Sequence, residues 1–361
     1  MKTRITIFSV ALLASFALFS CVSWAADVSQ DEEKSSSMQM MERVESIVYG
    51  EPGKGGLIER LNSIERELFG RELPGSVSER HTAILNFLEI GTQEQPSMLF
   101  KLGVAEWLVG DASQVRKGAL TRVERLETDL DGAMQYGRPL AMRVERLLAS
   151  LVADPVTFQE VILPTATVLK VQFLEELGPA KTKKGDIVDL ALTNDLLVGK
   201  VLVAPKGSLI DTTVSEVRQP RNFGVPSNIR FDFKSLLPLG PQRPRVAYDA
   251  AAKKATEEAQ KGKDKGEGAI IGAAGASIGG ALLLGPVGLP LGFLVRGSAI
   301  KIPAGTIMFL ETSGDIRVSG YPVPESLRID PNATVRESVS TMSSSAGDIE
   351  LIELPAEQRI N

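Results

Sequence analysis

Histidine and cysteine are almost missing from this sequence, with one of each among 361 residues. A hydroxyl or thiol nucleophile of the usual kind needs a base beside it. The only histidine, His81, falls in a helical stretch remote in sequence from the β-rich second half. A structural or catalytic zinc set needs three or four ligands gathered together. The sequence therefore predicts no catalytic, cofactor-binding or metal residues, and the chain is not expected to be an enzyme. Asp186, Asp189 and Asp195 crowd one stretch, and paired carboxylates can run acid-base hydrolysis. Turn chemistry and solvent-facing strand positions account for them more simply. Aromatics are also scarce, at 5%, and the net charge is −5. Without a basic, aromatic surface, no nucleic-acid partner is expected.

The lone cysteine belongs to what reads as an export leader. MKTR is a basic start, ITIFSVALLASFALF is apolar, and Ser23 and Ala25 are the small residues of a peptidase site. Cleavage after Ala25 makes residues 1–25 a signal peptide and leaves a mature chain without thiol or disulfide, as suits an exported domain with an ample core. Two other readings stay open. Leu18-Phe19-Ser20-Cys21 partly fits a lipid-attachment motif at Cys21, with bulky Phe19 against it. An uncleaved anchor is the third, although the apolar run is short for a span.

From residue 26 to 153 the pattern is helical and repetitive. A period of 20 relates Gly50 to Gly70, Tyr49 to Phe69, Glu59-Arg60 to Glu79-Arg80, and Val44 to Ile64 and Ile84. Each of the first two units reads as a helix ended by an aromatic and a glycine. Ser76-Val77-Ser78-Glu79 is a capping box. In ERLNSIERELFG, Leu61, Ile64 and Leu68 share a face, and the remaining face carries Glu59, Arg60, Glu65, Arg66 and Glu67. LTRVERLETDLDG and AMRVERLLASLVAD continue the theme. Between them and the repeats, SMLFKLGVAEWLVG supplies core candidates Leu99, Leu102, Val104, Trp107 and Leu108. GEPGKGG (50–56) looks like a phosphate loop, but it lacks the hydroxyl after Lys54 and the strand before it. It is read as a turn.

From 154 to 321 the sequence turns β-like. ILPTAT, VAPKGS and IPAGT repeat one turn signature between apolar runs, and Gly199-Lys200 marks a hairpin. Val188, Leu190 and Leu192, and then Ile229, Phe231 and Phe233, alternate as strands do. An antiparallel β-barrel or sandwich follows. The order ILPTATVLKVQFLEEL, KKGDIVDLALTNDLLV, KVLVAPKGSLIDTTVSEV, IRFDFKSLLPLG resembles the C-terminal β-barrel domain of TrbI-like channel subunits of type IV (conjugative) secretion systems. The resemblance covers about residues 160–320 and implies a barrel that assembles in a ring, with an inserted helical hairpin reaching the outer membrane. The N-terminal helical repeat region is not of that family.

The barrel segment is interrupted at 249–297. A polar, alanine-rich helix is followed by GAIIGAAGASIGGALLLGPVGLPLGFLV, which has no charge from 268 to 295. Gly268, Gly272, Ala276 and Gly280 recur every fourth residue, with Gly275 and Gly279 beside them. On a helix this stripe lets a second helix approach closely. The segment is read as a Gly-rich helical hairpin that packs against itself or its copies and contacts a membrane. A buried hairpin in a soluble oligomer and a loose apolar loop remain alternatives. Residues 322–361 read as a mobile tail in which 349–354 could add an edge strand.

The expected fold class is α+β: a helical repeat region, then an antiparallel barrel with the inserted hairpin. The expected function is a non-enzymatic cell-envelope protein, a structural or channel-like assembly component at the periplasmic face of the outer membrane that self-associates as a homo-oligomer. The alternative is a soluble periplasmic adaptor that binds a wall or protein partner through its helical repeats.

Overall fold

The computed structural model describes residues 36–110, 114–219, 227–261, 277–279 and 301–327. The segment expected to be a leader, most of the glycine-rich run and the end of the chain lie outside them. The chain through Pro322 forms one compact unit. Val323–Asn361 forms another, described only as far as a short 3-10 turn at Glu325–Leu327.

Six helices come first: α1 over 36–49, α2 Leu57–Phe69, α3 Val77–Leu85 extended by a π-helical turn Asn86–Ile90, α4 Met98–Val109, α5 Ala119–Asp131 and α6 Leu140–Leu151. The repeat is visible in their packing. Val44, Ile64 and Ile84 are each fully buried, as are Leu61 and Leu68. Gly50 and Gly70 close α1 and α2 at positive φ, and Ser76 with Glu79 forms the capping box that opens α3. The π turn holds one residue more between Leu85 and Gly91 than separates Glu65 from Gly70, and so absorbs a one-residue insertion without breaking the helix. A Cβ at Gly118 would collide with the Tyr49 carbonyl group, so the start of α5 lies directly on the end of α1.

Two residues of the charged face, Arg60 and Glu65, are buried, at 9% and 0% exposed. Each Arg forks onto a Glu from the preceding helix, with Arg60 Nε 2.8 Å from Glu45 and Arg80 Nε 2.8 Å from Glu65. The device recurs as Arg122 with Glu106 and Arg143 with Glu127. Three of these carboxylates also accept a backbone N–H from the turn that follows their helix: Gly53, Leu73 and Gln135. In α4 the arginine position holds Lys101 and the matching acid is Leu85. Lys101 turns to Glu145 instead, 2.5 Å away.

The β region contains β1 Gln159–Leu163, β2 Val168–Phe173, β3 Leu190–Leu192, β4 Leu196–Val198, β5 Val201–Ala204, β6 Leu209–Arg218, β7 Asn228–Leu236, β8 Val246–Ala247, then α7 Ala250–Lys261, β9 Ser277–Gly279, β10 Ile307–Thr312 and β11 Ile316–Pro322. All pairings are antiparallel. The larger sheet runs β8-β10-β2-β3-β6-β7-β9, and a smaller one runs β1-β11-β5-β4. A bridge from Ser235 to Arg245 brings β8 back to β7, which nearly closes the larger sheet into a barrel. Its interior holds Val171, Phe173, Leu190, Ile210, Phe231 and Leu310. The alternation expected for 229–233 holds, with Ile229 and Phe231 buried.

The three signature turns share one geometry. Their third residue has positive φ: Ala166 at 58°, Gly207 at 86° and Gly305 at 79°. Thr167 and Thr306 hydroxyls donate back to the Pro164 and Pro303 carbonyls. Only Ala166 carries a Cβ into this region, where a side chain is strained by about 1–2 kcal/mol. Ala166→Gly should therefore raise stability by roughly 0.5–1 kcal/mol, the strain relieved less the added freedom of the unfolded chain. A urea midpoint that falls would show the turn is unstrained.

The polar helix expected within the 249–297 interruption is present as α7, Ala250–Lys261, and it packs on the barrel. Ala252 is fully buried in the barrel core, its N–H donates to Glu311 of β10 at 2.6 Å, and Thr256 is 2% exposed. A helix bearing alanine on one face fits closely over a sheet, so α7 covers the barrel. Of the apolar run, only β9 is described. It is extended and pairs with Asn228–Arg230 of β7, so the expected helix does not pass through Ser277–Gly279.

Candidate functional site

A concave site lies where the helices meet the barrel. The helical side of this seam is α4, which is buried almost all round because it lies between its sister helices and the sheet. Gly103 sits where any Cβ would press on the Leu239 side chain, allowing α4 to lie close against the loop after β7. One turn on, the Trp107 indole N–H donates to Asp195 at 2.8 Å, and its ring stands edge-on to Tyr321 at 6.0 Å. Asp195 also accepts the Lys206 N–H at 2.7 Å, so one carboxylate ties a helix to the β5–β6 turn. Phe100 packs on Phe158 at 5.9 Å, and Arg116 pairs with Asp189.

Beside these contacts opens a cleft of about 560 Å³. Ile47, Leu99, Val115 and Leu237 line it, half-buried, and the prolines 205, 238 and 241 contribute further apolar surface. Arg43, Lys117 and Arg243 reach it, together with Glu89. Glu89 is held by Arg43 at 2.6 Å. Arg243 donates only to the Gly240 and Gln242 carbonyls, at 3.0 and 3.1 Å. Among the described residues, no ion pair involves Lys117 or Arg243. Arg122 also lines the cleft, but Glu106 neutralises it.

The remaining sequence candidates are placed as follows. Gly268, Gly272, Gly275, Ala276 and Gly280 lie outside the described residues, and Gly279 ends β9. The three aspartates do not form one carboxylate pair: Asp186 accepts the Lys183 N–H across a turn, while Asp189 and Asp195 serve the seam. His81 is fully buried, at the helix position where α2 has Leu61 and α5 has Val123. Its Nε2 lies 3.5 Å from the Met41 sulfur and its Nδ1 has no partner. Burial, together with the Arg80 charge, lowers its pKa against the opposing pull of Glu65. Among the described residues, no group of three or more His, Cys, Asp or Glu could hold a metal ion.

Sequence reasoning missed both the ion-pair ladder and the cleft. The ladder had a signal, a Glu fifteen residues before each Arg in the first two repeats. The cleft had none, because its cations come from α1, the α4–α5 loop and the β7–β8 loop. No protein-family model matches the chain, and no curated protein matches it either.

Proposed function

We propose that the protein is a non-enzymatic cell-envelope component that assembles with copies of itself at the periplasmic face of the outer membrane, with the uncharged run 268–295 as its membrane or self-association segment. One observation carries this reading: both flanks of that run are tied into the barrel. On one side α7 packs through Ala252 and Thr256. On the other, Ile302 is fully buried and bridges to Leu177. Twenty-eight residues without a charge, of which Ser277–Gly279 pair with β7, are a long apolar segment for a near-closed barrel to carry. Among the described residues no helix is long and apolar enough to cross a membrane, so the reading rests on the run itself and on its anchors. The proposed contact between copies is the uncharged run itself rather than a helical stripe through Gly272, Ala276 and Gly280, because Ser277–Gly279 is extended.

The adaptor reading has its own support. The α5–α6 hairpin exposes Leu130, Met134, Tyr136 and Met142, with Tyr136 at 74%. Apolar side chains gathered at one end of a repeat suit a docked partner.

Replacing residues 262–300 by a short Gly/Ser linker, with α7 and Ile302 kept, separates the two. The parent should remain in a wash-resistant membrane pellet, and the linker variant should become soluble while still unfolding cooperatively, with a midpoint lowered only by the loss of the short edge strand β9. A soluble parent favours the adaptor. A linker variant that still pellets removes the run from the membrane contact.

A further inference from the structure

We infer that the cleft between the helices and the barrel is a binding site for an amphipathic anion, a single carboxylate or phosphate head on an apolar chain. Three features point to this class. The volume, about 560 Å³, lies within the range of pockets that enclose a small organic ligand. The walls offer Ile47, Leu99, Val115 and Leu237 as half-buried aliphatic surface, which water solvates poorly and an alkyl chain would cover. The charge at the site does not balance. Glu89 is committed to Arg43, and Arg122 is committed to Glu106. Lys117 and Arg243 form no ion pair among the described residues, although the Glu89 and Asp211 charges act on Arg243 from beyond contact, so the groups lining the cleft are predominantly cationic.

A bare inorganic anion would satisfy the two cations and leave the aliphatic walls wet. A neutral apolar molecule would cover the walls and ignore the charge. An amphiphile with one anionic head does both. Carboxylate and phosphate heads share the chemistry that Lys117 and Arg243 recognise, an oxyanion accepting charge-assisted hydrogen bonds. The helix-barrel seam is tied by the Trp107–Asp195 hydrogen bond and by the Trp107–Tyr321 ring contact beside the cleft, which lowers the cost of ordering the pocket on binding. This inference does not use residues 262–300, and it stands whether or not that run meets a membrane.

The test is calorimetric titration of the full chain with dodecanoate, dodecyl phosphate and neutral dodecyl maltoside, each below its micellar concentration. One dodecyl anion should bind per chain, and the maltoside should not. The tighter of the two anions identifies the head group. K117E together with R243E should weaken binding by about tenfold or more, since reversing two charges at an anion site removes at least one charge-assisted bond. R243E also removes the hydrogen bonds to the Gly240 and Gln242 carbonyls, so circular dichroism checks that the double variant stays folded at the titration temperature, and K117E alone, which breaks no such bond, should weaken binding in the same direction. Absence of binding, equal binding of the maltoside, or equal anion binding by the parent and the double variant would each overturn the proposal. The last result would place the anion on another apolar part of the chain.

Discussion

Glu127→Ala is expected to lower the unfolding free energy by about 3–5 kcal/mol, far more than loss of a surface ion pair. The reason is what it leaves behind. The Arg143 guanidinium, 4% exposed, loses both oxygens that its fork grips, at 3.0 and 2.7 Å. The Gln135 N–H loses its acceptor as well. An unpaired charge at that depth costs several kcal/mol. Replacing both partners by leucine removes the orphaned charge, so the double variant should sit much nearer the parent than Glu127→Ala does. The effect also has a pH signature. Burial pushes the Glu127 carboxyl up, but hydrogen bonds from Arg143 and the Gln135 N–H outweigh it and hold its pKa below the usual carboxylate value. A carboxylate depressed on folding contributes stability above its unfolded pKa and loses it as the pH falls through the folded value. The gap between parent and variant should therefore narrow below about pH 4.5. Urea unfolding followed by far-UV circular dichroism measures it, and a cost below about 1 kcal/mol at neutral pH would mean the pair is as weak as a solvated one.

His81→Leu should act in the other direction. It places in α3 the residue that α2 carries at the same position, Leu61. It also removes a buried Nδ1 that has no partner, a deficit of about 1–3 kcal/mol in general. At neutral pH the variant should be more stable by about 1–2 kcal/mol, after allowance for repacking around Met41. On acidification the difference should grow. Burial holds the folded imidazole below its ordinary pKa, with Arg80 adding to the shift and Glu65 opposing it. The unfolded chain then takes up a proton first, so the parent loses stability as the pH falls through the unfolded value near 6.5, and the loss levels off below the folded pKa. The variant has no such step. Melting curves between pH 7.5 and 5 compare the two. Parallel curves would show that His81 titrates alike in both states. A destabilised variant would show that the imidazole fits its site in a way the aliphatic chain cannot match.

The two predictions bear on one design question: how six short helices hold together. None is long enough to persist alone. Aliphatic residues at the repeat positions supply the common core, and the Glu–Arg forks fix the order in which helices meet. Each fork joins a helix to the next, Glu45 to Arg60 and Glu106 to Arg122, for example. A carboxylate that also closes the intervening turn through a backbone N–H cannot pair with the wrong helix without leaving that turn open. Lys101 marks the place where this scheme is interrupted, at the helix that turns the bundle toward the barrel.

Much of this architecture was legible locally. The 20-residue period announced the helices, and the burial of Val44, Ile64 and Ile84 follows from side chains spaced to share a helix face. The Pro-x-Gly/Ala-Thr/Ser signature located three turns because proline and a positive-φ residue act within four residues of chain. Alternation placed Ile229 and Phe231 inward for the same reason: a strand's two faces are set by its own backbone. What the sequence did not show was burial that depends on a distant partner. The burial of Arg60 and Glu65 is invisible locally because a charge is buried only when its counter-charge and hydrogen bonds are present, and those come from another helix. Asp195 read as a turn residue, and only docking of α4 gave it the Trp107 indole. The Ala252 stripe of α7 looked like part of an insert until β10 supplied Glu311 beneath it. The cleft is the extreme case. Its cations are separated by about two hundred residues of chain, from Arg43 to Arg243, and no local pattern links them. The sequence by itself determined where helices, strands and turns form, since propensity, period and φ preference are properties of short segments. The tertiary structure alone decided which charges are buried in pairs, which stand free, and what concave surface they share, since those depend on contacts between segments that meet only after folding.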